Sequence, residues 1–124
     1  MTSLRKLIID YAEASYGTRA EYPWESAPGY AVLRHENGKW YCVIMDIRES
    51  KLGLKGNGLI DVMNVKCDTF LLGTFLSRDG YFPPYHMTKN SNWITVSLDG
   101  NIDIEQVKFM LDMSYEIIDK KNKK

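Results

Sequence analysis

No apolar run in this chain lasts more than a few residues. A membrane-spanning helix needs about 20, so none is expected. Cysteine is almost absent: Cys42 and Cys67 are the only two, each in a strand-like or strand-end setting. The opening Met1-Thr2-Ser3-Leu4-Arg5-Lys6 carries a helical pattern instead of a secretory h-region. The two thiols therefore read as reduced groups of a cytoplasmic protein, not as a disulfide. An excess of positive charge is missing too. Sixteen basic residues meet sixteen acidic ones, and four of the basic ones, Lys120, Lys121, Lys123 and Lys124, fall in the last five positions. Residues 1–119 hold 12 basic against 16 acidic residues, a net of −4. Such a body has no long-range field that would draw in nucleic acid, so any contact with DNA must come from local patches.

What is present is the make-up of one globular domain: 124 residues, 44% hydrophobic and 26% charged, enough chain to bury a core without staples. The reading is a single domain over 1–119 followed by a basic, disordered tail at 120–124. Leu4, Leu7, Ile8, Tyr11 and Ala12 repeat at the spacing of an amphipathic helix, with Ser3 or Thr2 as N-cap and Gly17 as stop. Tyr22-Pro23-Trp24 begins an extended linker that runs to Gly29. Strand 30–35 and the return from Trp40 to Ile47 flank Asn37-Gly38, which predicts a two-residue type I′ hairpin. That register places Arg34 opposite Tyr41, Leu33 opposite Cys42 and Val32 opposite Val43. Residues 48–58 form a glycine-punctuated loop of net charge +2. Leu59 to Lys66 reads as a third strand. A short helix capped by Asp68 or Thr69 follows, through Phe70, Leu71, Leu72 and Phe75. After the Pro83-Pro84 loop come a strand from Trp93 to Leu98 and a helix opened by Asp103 and Gln106 as a capping box, with Val107, Met110, Leu111, Ser114, Ile117 and Ile118 on its inner stripe.

This order predicts an α+β two-layer sandwich: an antiparallel sheet flanked by N- and C-terminal helices that cover one face. Alternation then places Arg34, Tyr41 and Trp93 together on the open face. Ile94, Val96 and Leu98 look inward, and Trp93, Thr95 and Ser97 look outward.

Several blocks in order carry a resemblance: Tyr22-Pro23-Trp24, Val32-Leu33-Arg34-His35, Asn37-Gly38-Lys39-Trp40-Tyr41, residues 61–68, Tyr85-His86-Met87-Thr88-Lys89, Trp93-Ile94-Thr95-Val96 and Ser114-Tyr115. Over residues 17–116 the chain resembles the MmcQ/YjbR family, departing from its usual residues at Thr69 and Thr88. The resemblance implies a fold like that of the bacterial frataxin homologue (CyaY-like) and a DNA-binding surface made of two protruding loops, a double wing. On this chain the wings are residues 48–58 and the segment around 77–92.

The function expected is therefore weak electrostatic contact with DNA by a non-enzymatic domain. Arg48, Lys51, Lys55 and Lys89, with Arg78, contact phosphates, and Arg34, Tyr41 and Trp93 supply a stacking surface. The rival expectation is a module for a small anionic ligand or a protein partner, with a pocket lined by Trp24, Arg34, His86, Lys89 and Trp93. No cofactor, metal site or membrane partner is called for. His35, His86, Asp61 and Cys67 are too scattered for a metal motif, and no nucleophile–base pair is visible.

Overall fold

The computed structural model describes residues 3–56, 58–84, 92–98 and 102–121, with Lys120 and Lys121 described in their backbone alone. Helix α1 spans Leu4–Tyr16, β1 Ala31–Arg34, β2 Trp40–Arg48, β3 Leu59–Lys66, α2 Thr69–Leu76, β4 Tyr81–Phe82, β5 Trp93–Ser97 and α3 Ile104–Lys121. A 3₁₀ turn at Glu49–Leu52 follows β2. The strands form one antiparallel sheet in the order β1-β2-β3-β5-β4. The α+β sandwich is as expected.

Local chemistry sets the element ends. Ser3 accepts a hydrogen bond from the Lys6 amide at 3.2 Å, and Gly17 closes α1 in the left-handed region at φ 70°. Asp68 caps α2 by accepting from the Phe70 amide at 2.8 Å. Asp103 accepts from the Glu105 amide at 3.1 Å at the start of α3. That helix runs through Lys120 and Lys121, two residues into the segment expected to be a tail.

The sheet departs from the expected hairpin in one way that matters. The connection after β1 is a three-residue loop: Gly38 donates to the His35 carbonyl and the His35 amide donates to the Lys39 carbonyl, both at 2.8 Å. Gly38 adopts φ 89°. A type I turn closed by a left-handed glycine produces a bulge. Leu33 pairs with Cys42 and Val32 with Val43 as expected, but Arg34 pairs with Trp40 and Tyr41 is skipped. The skipped residue changes face. Tyr41 turns under the helices, fully buried beside Tyr16 and Tyr115, while Trp40 takes the outer face.

Helices α1 and α3 pack on the face that carries Ala31, Leu33, Cys42, Ile44, Met63, Val65, Ile94 and Val96. Contrary to expectation, the other face is also buried. Val32, Val43, Met45, Ile47, Ile60 and Val62 form a second cluster, with Trp24, Tyr30, Trp40 and Leu52 packed on it. The segment read as an extended linker folds back here. Trp24 meets Tyr30 and Trp40 edge-to-face at 6.0 and 5.7 Å, and Glu21 bridges to Val32 on the edge strand. Aromatic rings carry too much apolar area to be left in water when a β-branched sheet face is within reach.

Candidate nucleic-acid interface

Of the two expected wings, the loop joining β2 to β3 lies within the described residues except for residue 57, and residues 85–91 of the other lie outside them. The ends of the β2–β3 loop are tied where Arg48 pairs with Leu59, and the Glu49 amide donates to the Gly58 carbonyl at 3.0 Å. Inside it, the Leu54 amide donates to the Glu49 carbonyl and the Gly53 amide to the Ser50 carbonyl. The acid of the loop is turned inward: the Glu49 carboxylate sits so close to Gly56 and Gly58 that a Cβ at Gly58 would lie 2.8 Å from it. A side chain at Gly58 would push the Glu49 carboxylate out of this position. Lys51 and Lys55 are left outside, both exposed. Among the described residues neither has a carboxylate within ion-pair distance. Arg48 is exposed at the end of β2.

The second cationic region lies at the other end of the sheet. Arg34 pairs with Trp40 across β1 and β2, and Lys66 pairs with Trp93 across β3 and β5. Each cation lies over its ring, Arg34 at 5.7 Å from the Trp40 centroid and Lys66 Nζ at 5.5 Å from that of Trp93. Arg34 is already committed: its Nε donates to Glu21 at 3.1 Å and its Nη1 to the Gly38 carbonyl at 3.0 Å. Lys66 and Trp93 are each under a tenth exposed.

The expected stacking trio is therefore not one surface. Tyr41 is inside, its hydroxyl donating to Thr18 Oγ1 at 2.7 Å, because the bulge rotated it away from the outer face. Burial of that ring raises its hydroxyl pKa. Trp93 is buried three strands away from Arg34. Of the alternative pocket, Trp24 and Arg34 are both brought against Trp40. Trp93 is not among them, and His86 and Lys89 lie outside the described residues. Arg78 sits over the Phe75 ring at 5.5 Å, on the helix layer. The β2–β3 loop enters β3 at Leu59, whereas Trp93, which follows the second expected wing, pairs with Lys66 at the other end of that strand. Leu59 and Lys66 are seven residues apart, roughly 24 Å of strand, which is several Debye lengths at physiological salt.

The helix side carries the opposite charge. A groove of about 370 Å³ is lined by Tyr16, Asp112, Tyr115, Glu116 and Asp119. Tyr16 stacks on Tyr115 with ring centroids 4.0 Å apart, and Tyr115 lies against His35 at 4.3 Å. Tyr11 and Tyr16 both donate to the Asp112 carboxylate. Burial first, and the Asp112 hydrogen bond second, raise the pKa of both phenols. His35 Nδ1 accepts from the Asn37 amide at 3.1 Å, and its Nε2 approaches Asp119 to 3.1 Å without hydrogen-bond alignment. The imidazole thus ties the hairpin turn to α3. Sequence reasoning missed this tyrosine cluster because its members meet only through packing of α1 on α3.

Two further groups are structural. The Ser114 hydroxyl donates to the Tyr41 carbonyl at 2.5 Å and accepts from the Lys66 amide at 2.8 Å. It satisfies buried backbone groups beside the bulge. Cys42 and Cys67 are both free and buried. Burial pushes the Cys67 thiol up to about 11, with the Asp68 charge adding to it, so neither geometry nor acidity suits a nucleophile. Among the described residues no three His, Cys, Asp or Glu side chains gather as a metal-binding group, and no helix is long and apolar enough to cross a membrane.

This sandwich matches a known class. A sequence model of the YjbR family matches residues 13–117, and the chain belongs to that family. A curated relative, the uncharacterized protein YyaQ of Bacillus subtilis (strain 168), is 36% identical over 114 residues, covering 91% of this chain and 96% of that protein. A crystal structure of a Pseudomonas syringae protein superposes with a TM-score of 0.85 at 38% identity, over 94% of this chain and 98% of that one. A Deinococcus radiodurans protein carrying a DUF419 domain gives a TM-score of 0.72 at 18% identity, over 100% of this chain and 83% of that one. At that identity the likeness is one of fold.

Proposed function

We propose that this chain is a non-enzymatic domain that touches nucleic-acid phosphates weakly through the β2–β3 loop. One observation carries the reading: Lys51 and Lys55 project from a glycine-rich turn with no ion-pair partner among the described residues, while the loop's own carboxylate faces inward against Gly56 and Gly58. Unpaired lysines on a tethered loop gain the entropy of released counterions when they meet phosphates, and they read no sequence. The acidic groove on α3 disfavours approach from the helix side, so docking is oriented. The expected contact is small, about three phosphates for Arg48, Lys51 and Lys55.

The alternative, a pocket for a small anionic ligand around Trp24 and Arg34, has less in its favour, since the Arg34 donors are already held by Glu21 and the Gly38 carbonyl. Amide chemical-shift mapping with a short DNA duplex at low salt separates the two. Perturbations centred on residues 48–58 support the loop reading. Perturbations centred on Trp24 and Trp40, or none, remove it.

A further inference from the structure

Helix α2 is apolar almost all round, Thr-Phe-Leu-Leu-Gly-Thr-Phe-Leu, yet Phe75 is its only buried residue. Phe70 is 92% exposed, and on the neighbouring α3 Phe109 is 50% exposed. Surface-helix stripes normally turn their aromatics inward, and contiguous exposed apolar area marks interaction sites.

Two hollows meet along this surface. One is lined by Leu71, Thr74, Phe75, Arg78, Gln106 and Phe109, the other by Asp68, Leu71, Phe109, Asp112, Met113 and Glu116. They share Leu71 and Phe109, so they form one trough between α2 and α3 with an apolar waist. Gln106 to Glu116 along α3 spans about 15 Å, which is the footprint of a short helix. The rim is charged asymmetrically, with three carboxylates at one end and one guanidinium at the other. A second copy of the chain would bring six carboxylates and only two guanidiniums into a shared interface, so self-association is disfavoured.

The geometry points to a docking trough for a basic amphipathic helix of another protein, its apolar face over Leu71 and Phe109 and its cations beside Asp68, Asp112 and Glu116. The occupant is set by charge: anchors at helical spacing fill the waist, and lysines or arginines at one end meet the acidic rim. This surface lies on the helix layer, apart from the lysine loop, and does not depend on the phosphate-binding reading.

The test uses the full chain and a fluorescent synthetic peptide of Lys and Leu, about 14 residues long and patterned as an amphipathic helix, with a Glu/Leu peptide of the same pattern as control. The Lys/Leu peptide is expected to bind. Leu71→Ser, Phe109→Ser and Glu116→Lys are each expected to weaken binding by about tenfold or more, with melting temperatures close to wild type because these side chains lie at the surface. Failure of the Lys/Leu peptide to bind overturns the inference. So does equal binding of the Glu/Leu peptide, indifference to all three substitutions, or a wild-type dimer in sedimentation that Phe109→Ser dissociates.

Discussion

Replacing Ser114 by Ala removes a single oxygen, and the structure says what that oxygen does. It joins the Tyr41 carbonyl of β2 to the Lys66 amide of β3 at 2.5 and 2.8 Å, in a fully buried position. The bulge at Tyr41 has taken that residue out of the β1–β2 register, and α3 packs directly over the gap. Alanine would fill nearly the same volume, so packing loss is small, but both backbone groups would lose a partner. A buried group left unsatisfied costs about 1–3 kcal/mol. Two such groups, less some relaxation of the strand ends, give roughly 2–4 kcal/mol. For a domain of this size that is a fall in Tm on the order of 8–16 °C, and a lower urea midpoint with an unchanged m-value. Ser114→Cys, similar in size but a weaker hydrogen-bonding group, should fall between. A loss below about 0.5 kcal/mol for Ser114→Ala, the range of an indifferent surface change, would mean that the hydroxyl does not bridge the strands.

Three further outcomes are expected. Gly73→Ala should stabilise the protein by about 0.5–1 kcal/mol, since a methyl group there meets open space; a drop in Tm would mean the glycine is needed within the fold. Gly29→Ala should destabilise by about 1–3 kcal/mol, because its Cβ would lie 2.4 Å from the Asp46 carboxylate, and Asp46→Ala should recover most of that loss. Equal losses in both backgrounds would contradict the clash. At alkaline pH, Tyr16 should make the fold labile. Its folded-state pKa is raised by burial and by Asp112, so its contribution is complete below the unfolded value of about 10 and is lost as pH rises above it. Tyr16→Phe should flatten the fall in urea midpoint above pH 10, and an unchanged slope would sink that assignment.

The elements were legible because their signals are local. Helix caps at Ser3, Asp68 and Asp103, the β-rich run from Leu59 to Lys66 and the alternation of Ile94, Val96 and Leu98 needed no tertiary information. The hairpin was legible as a hairpin, but its turn type was not, since Asn37-Gly38 serves a two-residue turn and the end of a three-residue loop equally well. That single residue decides which of Trp40 and Tyr41 faces the helices, and with it the membership of the candidate surface. Burial of the second face did leave a trace. Tyr41-Cys42-Val43-Ile44-Met45 is apolar at every position, the pattern of a strand covered on both sides, and it outweighs the polar appearance lent by Arg34. The tyrosine cluster on Asp112 had no such trace, because residues from α1, β2 and α3 meet only in the folded chain.

The loop's role rests on two lysines, and the salt dependence of duplex binding measures them directly. With about three phosphates contacted, log K should fall against log salt with a slope near −2.7, and Lys51→Glu with Lys55→Glu should bring it to roughly −0.9 while cutting affinity at low salt. A slope unchanged by the double substitution, or no binding at low salt by the wild-type chain, would contradict the account.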